Sequence, residues 1–183
     1  IDPVDMAEKY GMDAVRISLI AGMAPGTDSR ISEDKIRGYK HFANKLWNIS
    51  RFVFTSVADA KSTSDAMLNV VDTALISELN ELTHTVDAHF EAYRIDLASD
   101  AIYQYLWKRF ADEIIEDSKP ILTGDDADAI RSRQQTLLII LTTSLKLLHP
   151  FMPFVTEAVW QNMSEELKKD EQDLLLVAKW PKA

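Results

Sequence analysis

The sequence contains no cysteine. Disulfides and thiolate metal sites are therefore excluded within the chain, and the composition fits a reducing compartment. Only 5 glycines and 6 prolines punctuate 183 residues. So few breaks imply long elements, and long elements are helices. No apolar run approaches the roughly 20 residues that a membrane-spanning helix requires. Positive charge is also scarce: 20 Lys and Arg against 29 Asp and Glu leave a formal net charge of -9. That balance argues against a nonspecific nucleic-acid binder, and neither DNA nor a membrane is expected as a partner.

The residues that are present describe a globular chain. Apolar residues make up 46% and charged residues 27%, enough for a real core in one domain or in one domain with a small appendage. The chain opens at Ile1 rather than Met, which reads as a piece of something longer. Charge is unevenly placed. From Arg30 to Phe54 there are six cations (Arg30, Lys35, Arg37, Lys40, Lys45, Arg51) and two acids (Glu33, Asp34), a local balance of +4. Either a directed anionic contact or a plain solvated helix face accounts for it.

The spacing predicts an all-α chain. Asp2-Pro3 starts a helix that runs to about Ala21, with Asp2 as N-cap. A loop around Pro25-Gly26 follows. Ser32 caps a second helix reaching about Val57, and Lys61 to Ser64 form a polar linker. A third helix covers about Asp65 to Glu91. A break at Tyr93-Arg94 leads to a fourth, from about Asp96 to Asp117, ended by Lys119-Pro120 because the residue before proline disfavours helix. The fifth, from about Asp126 to Leu148, contains Leu137-Leu138-Ile139-Ile140-Leu141 and is expected at the centre. A sixth runs from Pro153 to about Leu167. Leu174 to Val177 reads as a strand or an extended tail. In domain terms, 1–30 form a junction helix and loop, 31–168 a helical bundle and 169–183 an extended tail.

The second helix sorts into faces. Ile36, Tyr39, Ala43, Leu46, Ser50, Val53 and Val57 form its core stripe. Arg37, Lys40, Asn44, Asn48 and Arg51 form a second stripe, and His41, Lys45, Asn48 and Phe52 a third. Recognition of unstacked RNA bases needs aromatic faces, amides for base edges and cations for phosphates, and this surface carries all three. Phe52 would serve equally as a core residue near a helix end, and Lys45 and Arg51 as solvated cations; periodicity alone does not choose.

The wording of the chain does choose. Ile31-Ser32-Glu33, Gly38-Tyr39, Phe42-Ala43-Asn44-Lys45-Leu46-Trp47-Asn48 and Arg51-Phe52 resemble the segment of valyl-tRNA synthetases that begins their anticodon-binding bundle. Ile1-Asp2-Pro3 and Tyr10-Gly11-Met12-Asp13-Ala14-Val15-Arg16 are similar to the region after the KMSKS loop of class I synthetases. Ala24-Pro25-Gly26-Thr27-Asp28 resembles the valyl form of the following loop, with Thr27 where Gln is usual. Leu148-His149-Pro150-Phe151-Met152-Pro153-Phe154, with Thr156-Glu157 and Trp160, is shared by valyl, isoleucyl and leucyl members. Its prolines would end one helix and start another, with Phe151 and Phe154 filling the turn.

The resemblance implies a helical bundle of the class I anticodon-binding type and a chain that reads the anticodon of tRNA(Val). Valine anticodons share a middle adenine and a final cytosine. Lys45 and Phe52 are the first candidates for the contact, followed by Arg37, Asn44, Asn48 and Arg51, with Arg16 as a junction contact or an ion-pair partner. Lys45→Ala is expected to weaken binding far more than Lys168→Ala, and Phe52→Ala to remove binding while the fold survives. The parent enzyme would be cytoplasmic and attach valine with ATP and Mg²⁺, using catalytic and editing domains that would be this segment's intramolecular partners. This chain has neither a HIGH nor a KMSKS motif and no Gly-rich phosphate loop. No catalytic residue, metal site or cofactor is therefore expected in it.

Other readings are an isoleucyl or leucyl fragment, a free-standing helical adaptor, or a di-metal bundle using Glu81 and His84 at Glu-x-x-His spacing. The last lacks a second such pair.

Overall fold

The computed structural model describes residues 2–27, 31–58, 67–164, 167 and 172–182, and among these every regular element is helical. The predicted opening helix is two helices, α1 (Pro3–Tyr10) and α2 (Met12–Ser18). Asp2 caps α1 as expected, its side chain accepting from the Val4 N–H. The break lies at Gly11, whose φ of 90° is open to glycine but strained for other residues. It lets α2 turn inward: Asp13, Ala14, Val15, Ile17 and Ser18 are buried, whereas α1 has no buried residue.

Helix α3 (Glu33–Val57) begins at Ser32, whose side chain accepts from the Lys35 N–H at 3.2 Å, and Glu33 and Asp34 sit in its positive first turn. Its buried residues include Ile36, Leu46, Ser50, Val53 and Val57 from the expected stripe, joined by Phe42 and Ile49. Helix α4 (Val70–Glu91) is capped by Asn69; Asp65 and Ala66, where the pattern placed its start, lie outside the described residues, as does the Lys61–Ser64 linker. The chain turns at Tyr93 into α5 (Ile95–Gln104).

From Tyr105 to Ile114 the hydrogen bonding changes to the wider π type, and the Ile115 N–H reaches back to the Phe110 carbonyl. Helix α6 (Ile115–Leu122) then runs through Pro120 instead of stopping before it. Burial of Ile115 and Ser118, and packing of Leu122 on the core, outweigh the lost bond and the strain at Lys119.

Helix α7 (Ala127–Leu148), capped by Asp126, is the central element, meeting α3, α4, α5, α6 and α8. Leu137, Ile140 and Leu141 are fully buried; Leu138 and Ile139 are half-buried. Helix α8 (Pro153–Gln161) is shorter than expected, and Leu175–Val177 form one 3-10 turn rather than a strand. The Trp160 indole N–H donates to the Gln172 carbonyl at 3.0 Å, tying that tail to α8. Phe151 fills the α7–α8 turn and stacks on Phe90 at 5.9 Å. Phe154 does not share that role: it is 63% exposed, and Met152 is buried in its stead. The Phe154 and Val155 N–H groups, left open at the start of α8, donate to the buried carboxylate of Asp13, at 3.1 and 2.6 Å, joining α2 to α8.

A buried polar knot locks the far end of the bundle. Asp72 and Arg133 are both almost fully buried and paired at 2.6 Å. The Asp72 carboxylate also accepts from Ser132 and Asn69, and Arg133 donates to Ser118. The knot fixes α4, α6 and α7 to one another.

Candidate nucleic-acid interface

Helix α3 is amphipathic, so burying one stripe forces the opposite one outward. Arg37, Lys40, Asn44, Asn48 and Arg51 are all exposed, along with His41. The two asparagines and Arg51 have no side-chain partner among the described residues. Arg37 pairs with Asp34 across one turn at 2.7 Å, both exposed, a contact that contributes about 0–1 kcal/mol. Lys40 donates to the Lys9 carbonyl at 3.2 Å and lies 5.7 Å from the Tyr10 ring centroid.

Not every cation counted in the sequence reaches this face. Arg30 lies outside the described residues. Lys35 is half-buried and donates to the Ala21 carbonyl at 2.6 Å; burial lowers its pKa, against the pull of nearby Asp100. Lys45 is held across the groove by the π segment. Its ammonium donates to Asp112 Oδ1 at 2.6 Å and to the Trp107 carbonyl at 3.1 Å, and it lies 4.2 Å from the Trp107 ring centroid. Arg37, Lys40 and Arg51 remain as the outward cations of the stripe.

Phe52 is half-buried and packs against the main core. Phe52→Ala is thus expected to cost about 2 kcal/mol of stability, part of the 3–5 kcal/mol for a fully buried ring, in addition to any loss of binding. A thermal melt of the variant checks this; an unchanged midpoint would mean that the ring lies free. Arg16 is exposed and donates to the Pro150 carbonyl at 3.2 Å, bracing the α7–α8 turn rather than bonding to α3. Lys168 lies outside the described residues. Glu81 and His84 are both exposed, and among the described residues no three His, Asp or Glu side chains converge on a metal-sized site.

Two groups of neighbours had no signal in the sequence. Trp107 and Asp112 of the π segment flank Lys45, and Tyr103 of α5 stacks on Trp107 at 5.8 Å. On the other flank, Trp47, Arg51, Phe54 and Thr55 of α3, Val159 of α8 and Asn162 just after it line a cleft of about 170 Å³. Trp47 is partly open to solvent there. Both groups arise from helix packing, which periodicity along one helix cannot report.

Comparison with known proteins adds four findings. A family model described as the anticodon-binding domain of tRNA ligase matches residues 72–183. A valine–tRNA ligase of Clostridium tetani is 39% identical over 99% of this chain, which spans 20% of that relative's length. Among solved structures, the apo form of Mycobacterium tuberculosis methionyl-tRNA synthetase superposes with a TM-score of 0.73 at 24% identity, over 88% of this chain and 34% of that one. A LeuRS of Agrobacterium radiobacter, in a ternary complex with tRNA and LeuAMS, superposes with a TM-score of 0.67 at 16% identity, over all of this chain and 21% of that one. At those identities the structural likeness speaks for the fold.

Proposed function

The chain belongs to the family of anticodon-binding domains of tRNA ligases, and from that premise we propose that it reads the anticodon of a valine tRNA as part of a valine–tRNA ligase. The observation that carries the reading is the open stripe of α3, where Arg37 and Lys40 on one side and Arg51 on the other flank Asn44 and Asn48, all exposed. Cations anchor a loop backbone, and carboxamides offer both donors and acceptors to base edges. The valine assignment draws on the relatives that this chain matches along nearly its whole length. The matched family segment begins after α3, so the role of α3 rests on its own geometry and on the Phe42–Asn48 wording.

Catalysis belongs, in this reading, to other parts of the longer relatives. ATP and Mg²⁺ would serve valine activation there. The residues of this chain do not fit them: there is no Gly-rich phosphate loop in the sequence, and no acidic cage among the described residues. Equilibrium binding tests the reading. A tRNA with a valine anticodon should bind more tightly than the same tRNA with its middle adenine changed to guanine; equal affinities would refute it.

A further inference from the structure

Asp112 stands where no stability argument requires it. Its side chain is 57% exposed, so the ion pair it makes with the part-buried Lys45 is open to water on the Asp112 side and contributes little to folding. Yet the local backbone presents it to Lys45. In an α-helix, residues five apart point about 140° away from each other. The π segment closes its hydrogen bonds at that same interval, so the Trp107 carbonyl and the Asp112 carboxylate meet the Lys45 ammonium together, at 3.1 and 2.6 Å. The Trp107 ring, 4.2 Å from the ammonium at its centroid, supports it from beneath. The outcome is a donor fixed beside an acceptor, at the rim of the stripe assigned above to RNA.

That pairing has a complement among the bases. The Watson–Crick edge of adenine sets a ring-nitrogen acceptor beside an amino donor, and cytosine does the same. Guanine and uracil set a ring N–H beside a carbonyl, the reverse order. An ammonium next to a carboxylate therefore matches adenine or cytosine and opposes the other two, placing carbonyl against carboxylate and N–H against ammonium. Lysine alone supplies only donors and cannot recognise an amino group.

We propose that Asp112 is a specificity-determining residue of the anticodon site, its carboxylate accepting from the exocyclic amino group of adenine or cytosine while Lys45 donates to the adjacent ring nitrogen. The proposal rests on the anticodon reading and deepens it.

The test uses the chain itself and three RNA hairpins. One carries U-A-C at the anticodon positions, one has purine in place of the adenine, and one has pyrimidinone in place of the cytosine; each replacement deletes a single amino group. Asp112→Ala should weaken binding of the U-A-C hairpin on the order of tenfold. It should cause no further loss on the hairpin that lacks the amino group Asp112 reads. Because Asp112 is exposed, circular dichroism should show an unchanged fold. Asp112→Asn, which keeps a carbonyl oxygen, should recover part of the preference for amino-bearing loops. If Asp112→Ala instead tightens all three hairpins alike, or leaves all three unchanged, the carboxylate is only a counter-ion for Lys45 and the proposal is overturned. Failure of the underlying reading looks different: the unaltered chain would bind the U-A-C hairpin no better than one with a scrambled anticodon.

Discussion

Asp72→Ala should lower stability by about 3–5 kcal/mol, the cost of stranding a buried charge. For a chain of this size, 1 kcal/mol moves the melting midpoint by roughly 2–4 °C, so the fall is on the order of 10 °C. The reason is the company Asp72 keeps. Arg133 is 3% exposed and Asp72 fully buried. Without the carboxylate, the guanidinium would keep one neutral partner, Ser118, in a space closed to water. Ser132 and Asn69 would lose an acceptor at the same moment. Replacing both members of the pair with apolar residues, Asp72→Leu with Arg133→Met, should recover much of the loss, since no charge then remains buried. Calorimetry on the single and double variants reads both effects. A single variant melting within about 2 °C of the parent would mean that Arg133 finds water.

The second large effect is expected in binding. Arg37, Lys40 and Arg51 are the outward cations of the α3 stripe. Replacing all three with alanine should weaken tRNA binding on the order of 100-fold at low salt, at about 1 kcal/mol for each phosphate contact. The dependence on salt should flatten as well. Each contact to single-stranded RNA contributes roughly 0.7 to the slope of log affinity against log salt, so the triple variant should lose about 2 from it. Lys179→Ala, in the tail and away from α3, should change neither quantity. Titrations at several salt concentrations would decide: a weakened affinity with an unaltered slope would mean that the three cations do not meet phosphates.

How much of this was legible depended on whether the signal lay along one helix or between several. The Ser32 cap and the helical spacing placed α3 and α7 to within a residue, because capping and burial pattern are local. Gly11 escaped notice because a single glycine between two helical patterns reads as tolerable; only its φ of 90° reveals the turn. Pro120 misled in the other direction, since packing of the following turn overrode a local preference. Phe154 was expected to fill the proline-bounded turn together with Phe151, but its N–H meets the Asp13 carboxylate at the start of α8 and its ring lies outside.

The proposed recognition face divides in the same way. Its exposed stripe followed from the spacing within α3. The setting of Lys45 did not, because Asp112 stands 67 residues away and its approach depends on a change in helix type that no residue pattern announces. Phe52 was left open between core and contact, and the structure packs it against the core from a half-buried position.

The central claim is that the outer surface of α3 receives the anticodon loop. Photo-crosslinking tests it most directly, using a valine-anticodon tRNA with thiouridine at the first anticodon position and mass spectrometry to map the attached peptide. Attachment within Lys40–Thr55, lost when a hairpin with the same loop competes, is the predicted result. Crosslinks confined to α4 or to the 172–182 tail, with α3 untouched, would contradict it.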